Sequence, residues 1–168
     1  MVASKNRSND RSNPMGPELI HATARMCKAS VPAALDHLST AKGMARWNLG
    51  MFDTTQEPDG LLSGVSLFDG KQAYARAELD PHKGLVTYRI GADRHRLVPR
   101  IQAQVVDGVA LGYEAGLVLV SLQTWRLKDM DDARWLRLIT THETELDLIK
   151  AQLERGMSTD TAAHQDPA

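Results

Sequence analysis

The 168-residue sequence has a single cysteine, no surplus of charge of either sign and no long apolar run, and each shortage removes a class of protein. One thiol cannot close an internal disulfide, so a secreted fold stapled by disulfides is excluded and a reducing compartment is expected. Lys and Arg number 20 against 21 Asp and Glu. That balance argues against a sequence-independent grip on nucleic acid, which needs a cationic excess to displace counterions. The longest apolar stretch, Gly116 to Leu122, falls far short of the roughly 20 residues that a membrane-crossing helix requires. The opening MVASKNRSNDRSNP lacks the apolar core of a signal peptide. A Gly-rich phosphate loop, a Gly-x-Ser-x-Gly elbow and a dinucleotide fingerprint are also missing, and no cofactor is expected. These absences leave a soluble, cytoplasmic single domain with no nucleic-acid partner and no membrane span.

Within that frame the chain divides in three. Residues 1–17 are rich in Ser, Asn and Arg, with Pro14 and Pro17, and residues 157–168 are similarly polar. Neither has the apolar periodicity to offset the entropy of ordering, so both read as disordered tails around a domain at 18–156. Leu19 to Ala29 reads as a first strand. Ser30 is placed to cap a helix with Pro32 in its first turn, where a missing N–H costs nothing. Ala33, Ala34, Leu35, Leu38 and Ala41 continue that helix, Gly43 breaks it, and Met44 to Leu49 forms a second short turn.

From Met51 to Arg126 the punctuation is Asp59-Gly60, Asp69-Gly70, Lys83-Gly84 and Asp107-Gly108 between segments rich in Val, Leu, Ile and Tyr. Glycine accepts the positive φ of tight hairpin turns, so these signals predict strands near 51–57, 62–68, 72–79, 85–91, 98–106 and 116–126. With the first strand that makes about seven, enough to curl strongly. Asp131 to Arg155 then reads as a long helix, acidic at its start and with Gly156 past its end. Trp135, Leu138, Ile139, His142, Leu146, Ile149 and Leu153 form one stripe within about 100° of arc. The expected fold is α+β: a curved seven-stranded antiparallel sheet wrapped around a long C-terminal helix, with two short helices after the first strand.

The opening strand into Ser30-Val-Pro32-Ala-Ala-Leu35-Asp36, the Gly43-Met-Ala-Arg-Trp47 turn and the helix Trp135 to Glu154 resemble the START-like, helix-grip (SRPBCC) superfamily. That superfamily contains polyketide cyclases, the birch-pollen allergen type and many bacterial lipid-binding proteins. The resemblance covers about residues 18–156 and implies a cavity between sheet and helix. It also implies binding of a small hydrophobic molecule (a lipid, an aromatic or a polyketide-like compound). A cyclase or dehydratase using the same cavity and a co-chaperone-like interaction module are the alternatives, since fold does not fix function.

His142 lies at the centre of the apolar stripe, where its imidazole can serve a ligand as hydrogen-bond partner or general acid/base, or be satisfied structurally as a core histidine. His142-Glu143-x-x-Leu146 has only a superficial likeness to a zinc-protease helix. Leu146 occupies the place of the second ligand, and no metal is expected. Trp47 and Trp135 are candidates for an aromatic wall or for plain core. Leu138, Ile139 and Leu146 share the helix stripe and join the candidate ligand-binding set. In the strands, Tyr74, Arg76, Glu78, Arg100, Gln102 and Gln104 alternate with small apolar residues. By default the polar set is the solvated convex face, and the alanines Ala73, Ala75, Ala77 and Ala103 leave room on the concave one. In the alternative, polar residues including Tyr74, Arg76 and Tyr88 line a wet cavity. Cys27 reads as a small buried hydrophobe.

Overall fold

The computed structural model describes residues 18–162, with side chains through 155; the expected N-terminal tail at 1–17 and the last residues, 163–168, lie outside it. Strand β1 (Ile20–Lys28) leads into α1 (Val31–Ser39) and α2 (Ala41–Trp47). The strands β2 (Met51–Gln56), β3 (Leu62–Ser66), β4 (Gln72–Asp80), β5 (Leu85–Gly91), β6 (Val98–Asp107) and β7 (Leu117–Trp125) follow, and α3 (Asp132–Ala162) closes the chain. All strand pairs are antiparallel, in the order β1-β7-β6-β5-β4-β3-β2. The hairpins place β2 to β7 in sequence order, and β1 returns to pair with β7, Ile20 opposite Trp125 through Lys28 opposite Leu117. The curved sheet and the helices on its concave side give the expected helix-grip α+β architecture.

Local chemistry explains most boundaries. Ser30 caps α1, its hydroxyl accepting the Ala33 N–H, with Pro32 in the first turn. The break between the short helices falls at Thr40, not at Gly43. Thr40 is extended (φ −87°, ψ 148°), and its hydroxyl accepts the Gly43 N–H to start α2. Gly43 sits inside α2 for a packing reason: a Cβ there would lie 2.0 Å from the His37 carbonyl oxygen, so only glycine lets α2 approach α1 so closely. Gly60, Gly70 and Gly84 take the positive φ that their turns require. Asp107-Gly108 instead opens a 3-10 turn, Gly108–Leu111, with the Asp107 carboxylate accepting the Val109 N–H. Gly156 does not end α3, which continues to Ala162.

The core has two unequal parts. The larger one packs Leu146, Ile149 and Leu153 of α3 with Ala34, Leu35 and Leu38 of α1 against Val86, Val105, Val118 and Val120 of the sheet. A small cluster of Met130, Trp135 and Leu138, with Phe68 and Ile139 against it, closes the other end of the helix. In β4 and β6, Ala73, Ala75, Ala103 and Val105 are buried, so the small apolar residues occupy the concave side. Between the two clusters the small side chains leave space unfilled.

Candidate functional site

That space is a cavity of about 290 Å³ between the sheet, α2 and the first half of α3. Its size is near the lower end of small-molecule pockets, which run from roughly 300 Å³ upward. Apolar walls come from Met44, Met51, Ala73, Ala75, Ile90, Ile101, Leu122 and Leu138. Exposed Asp69, Lys71 and Gln72 mark its opening, and half-buried Phe68, Arg100 and Arg134 stand beside them. Fully buried Tyr88, His142 and Glu145 lie at its inner end.

On α3 the lining residues are Arg134, Leu138, Thr141, His142 and Glu145. At 100° per residue they span about 100° of arc, but this arc is turned roughly 60° from the centre of the apolar stripe. The cavity therefore faces the flank of the stripe. Leu138 and His142 belong to both arcs. Leu146 goes into the larger core, and Trp135 and Ile139 into the smaller cluster, so none of these three lines the cavity.

The strand candidates divide similarly. Tyr88 lines the inner end, donating its hydroxyl to the Leu38 carbonyl at 2.8 Å, and its ring meets Trp47 edge-on with centroids 5.8 Å apart. Trp47 also lines the cavity while its indole N–H donates to the His37 carbonyl at 3.3 Å. Tyr74 and Arg76 are not part of the lining; Arg76 pairs with Asp59 at 2.7 Å. Cys27 is fully buried away from the cavity, and desolvation pushes its thiol up to about 11.

The most informative group is Glu145, which sequence reading missed. Its side chain is buried, and one carboxyl oxygen accepts the Leu49 N–H at 2.8 Å. The other lies 3.9 Å from His142 Nε2. Burial raises the Glu145 pKa to about 7 against the opposing pull of the Leu49 and Gly50 amides. Burial likewise lowers the His142 pKa to about 4, with His21 pushing the same way and Glu143 resisting. In the mildly acidic range both groups are uncharged, and His142 Nδ1 is buried with no hydrogen-bond partner. A carboxyl near neutrality beside a neutral imidazole can donate, accept or exchange a proton with a ligand's oxygen. The signal in the sequence was the i, i+3 spacing from His142, which puts Glu145 at the edge of the stripe and not on its polar back.

Among the described residues there is no cluster of three or more His, Cys, Asp or Glu side chains suited to a metal, and no helix long and apolar enough to cross a membrane.

No protein-family model and no curated protein sequence matches this chain. Solved structures do. The Aha1 dimer from Colwellia psychrerythraea superposes with a TM-score of 0.59 at 16% identity, over 82% of this chain and 97% of that one. The Zhui aromatase/cyclase from Streptomyces sp. R1128 gives 0.56 at 13% identity, over 81% and 93%. A START superfamily protein from Mycobacterium smegmatis gives 0.54 at 10% identity, over 82% and 99%. Likeness at such low identity defines the fold: the chain has the START-like, SRPBCC helix-grip architecture.

Proposed function

We propose that this protein binds a small, mostly apolar molecule in the cavity between the sheet and α3. The observation that carries the reading is the cavity itself: about 290 Å³, walled largely by apolar side chains, with the buried His142–Glu145 pair at its inner end. A packed interior does not tolerate such a volume without loss of dispersion contacts, and ligand occupancy restores them. His142 Nδ1, buried and unpartnered, supplies a polar position for a ligand oxygen. The neighbouring folds named for an aromatase/cyclase and a START protein are in keeping with this reading. Mass spectrometry of a solvent extract from the purified protein should reveal a discrete small molecule, and adding it back should raise Tm by mass action. An empty protein whose Tm no apolar compound raises would refute the reading.

A second reading, proton-transfer catalysis of the cyclase or dehydratase type, is favoured by one observation, the Glu145 carboxyl held near 7 beside His142. Incubation of the extracted molecule with protein separates the two. Recovery unchanged supports carriage; conversion that Glu145→Gln abolishes, with binding retained, supports catalysis.

A further inference from the structure

Strand β6 contains an irregularity that the alternation of its sequence conceals. Opposite β5, Tyr88 pairs with Ile101 and Arg89 with Pro99, so Arg100 is an extra residue without a partner on β5. Such a bulge re-aims the side chains around it. With Ala103 and Val105 buried on the concave side and Ile101 lining the cavity, simple alternation would send Arg100 outward with Gln102 and Gln104. Because of the bulge, Arg100 lines the cavity next to Ile101.

The guanidinium placed there has no counter-charge. Among the described residues the other half-buried arginines each hold a carboxylate: Arg25 pairs with Glu143 and Asp147, Arg76 with Asp59, Arg89 with Glu78, Arg126 with Asp132, and Arg134 with Asp69. Arg100 pairs with none, and its Nε is buried with no hydrogen-bond partner. A second cation reinforces it. Arg134 stands over the Phe68 ring at 5.9 Å and reaches Asp69 only at 3.9 Å. Desolvation first, and then repulsion from Arg134, lowers the Arg100 pKa from its ordinary value. Lys71 adds a third cation to the lining, against the single carboxylate of Asp69 at this end. Two guanidiniums at an apolar opening are set to receive a planar anion, which they can hold with paired N–H donors.

Resting on the binding function above, we propose that Arg100 and Arg134 form an anion site at the cavity opening that takes the carboxylate of an otherwise apolar ligand. The apolar body then extends inward toward His142 and Glu145. The eleven residue steps from Arg134 to Glu145 rise about 16 Å along α3. The ligand class is thus a monocarboxylic acid with a flexible alkyl or flat aromatic body of that reach or less.

The test uses matched pairs that differ in charge alone: decanoate with 1-decanol, and 2-naphthoate with 2-naphthalenemethanol, titrated calorimetrically into the full chain at pH 7.5. The expected result is that the acid of at least one pair binds ten-fold or more tightly than its alcohol. Arg100→Gln should collapse that preference to two-fold or less. Arg100→Lys, which keeps the charge, should retain most of it, and Arg134→Gln should give an intermediate loss. Equal affinity of acid and alcohol in both pairs, or a preference that survives Arg100→Gln, overturns the anion site and leaves the binding function standing. Failure of all four compounds to bind counts against both. Should Arg100→Gln not fold, the acid-to-alcohol ratio in the wild-type protein and its loss in Arg134→Gln decide the matter.

Discussion

The two halves of α3 meet the same sheet and do opposite things with it. The second half drives Leu146, Ile149 and Leu153 into a dry core against α1 and the valines of β5, β6 and β7. The first half presents Arg134, Leu138, Thr141, His142 and Glu145 to an unfilled cavity. The difference lies in what stands opposite. Branched side chains on the sheet and the apolar face of α1 fill the space beneath the second half. Beneath the first half Ala73, Ala75 and Gly91 stand among Ile90, Ile101 and Leu122, and these small residues leave space that the branched ones do not fill. One end of the helix thus holds the fold together, and the other is free to carry polar groups that a packed core would reject.

The sharpest break of this comparison is a pair of truncations. Leu146→Ala should destabilise the protein by about 4 kcal/mol, the cost of emptying a closed core site, whereas Leu138→Ala at the cavity wall should cost about 2 kcal/mol. Urea denaturation measures both, and equal losses would erase the distinction between the halves.

Next comes pH. Glu145 titrates near 7 in the fold against an ordinary 4.5, so its stabilising contribution is full below pH 4.5 and is lost as pH rises through 7. His142 is displaced the other way, from 6.5 to about 4, so its contribution is present above 6.5 and is lost as pH falls through 4. The two slopes oppose each other between 4.5 and 6.5, and the joint contribution of the pair should be nearly flat there. Glu145→Gln should uncover stability that rises with pH by roughly 2 kcal/mol across that interval, and His142→Asn a fall of similar size. Denaturation midpoints at several pH values check this, and flat profiles in both variants would contradict the buried pair.

A third change separates binding from folding. Ala75→Leu should fill cavity space, alter stability by no more than about 1 kcal/mol and weaken binding at least ten-fold, as calorimetry with the extracted ligand would register. Undiminished affinity would place the ligand elsewhere. The smallest effect is expected on the outer face. Arg76→Ala removes an exposed ion pair with Asp59 and should shift stability by less than about 0.5 kcal/mol with no change in binding.

Much of the fold was legible because its signals are local. Ser30 and Pro32 start α1, Gly60, Gly70 and Gly84 turn the hairpins, and the stripe from Trp135 to Leu153 marks a helix that needs a sheet. The site was legible only in part. His142, Leu138, Trp47 and Tyr88 line the cavity, while Trp135, Ile139 and Leu146 pack beside it and Tyr74 and Arg76 lie outside the lining. Glu145 escaped because an acidic residue at the margin of an apolar stripe is usually solvated. Arg100 escaped because strict alternation assigns it to the convex face, and no residue type announces a bulge.

The sequence by itself determined the elements, their order and the antiparallel hairpins, since caps, turns and periodicity act over a few residues. The tertiary structure alone decided that β1 closes on β7, that the cavity faces the flank of α3, and that a bulge turns Arg100 inward. Those outcomes depend on how a curved sheet distributes volume and pairing between residues far apart in the chain, which no local pattern encodes.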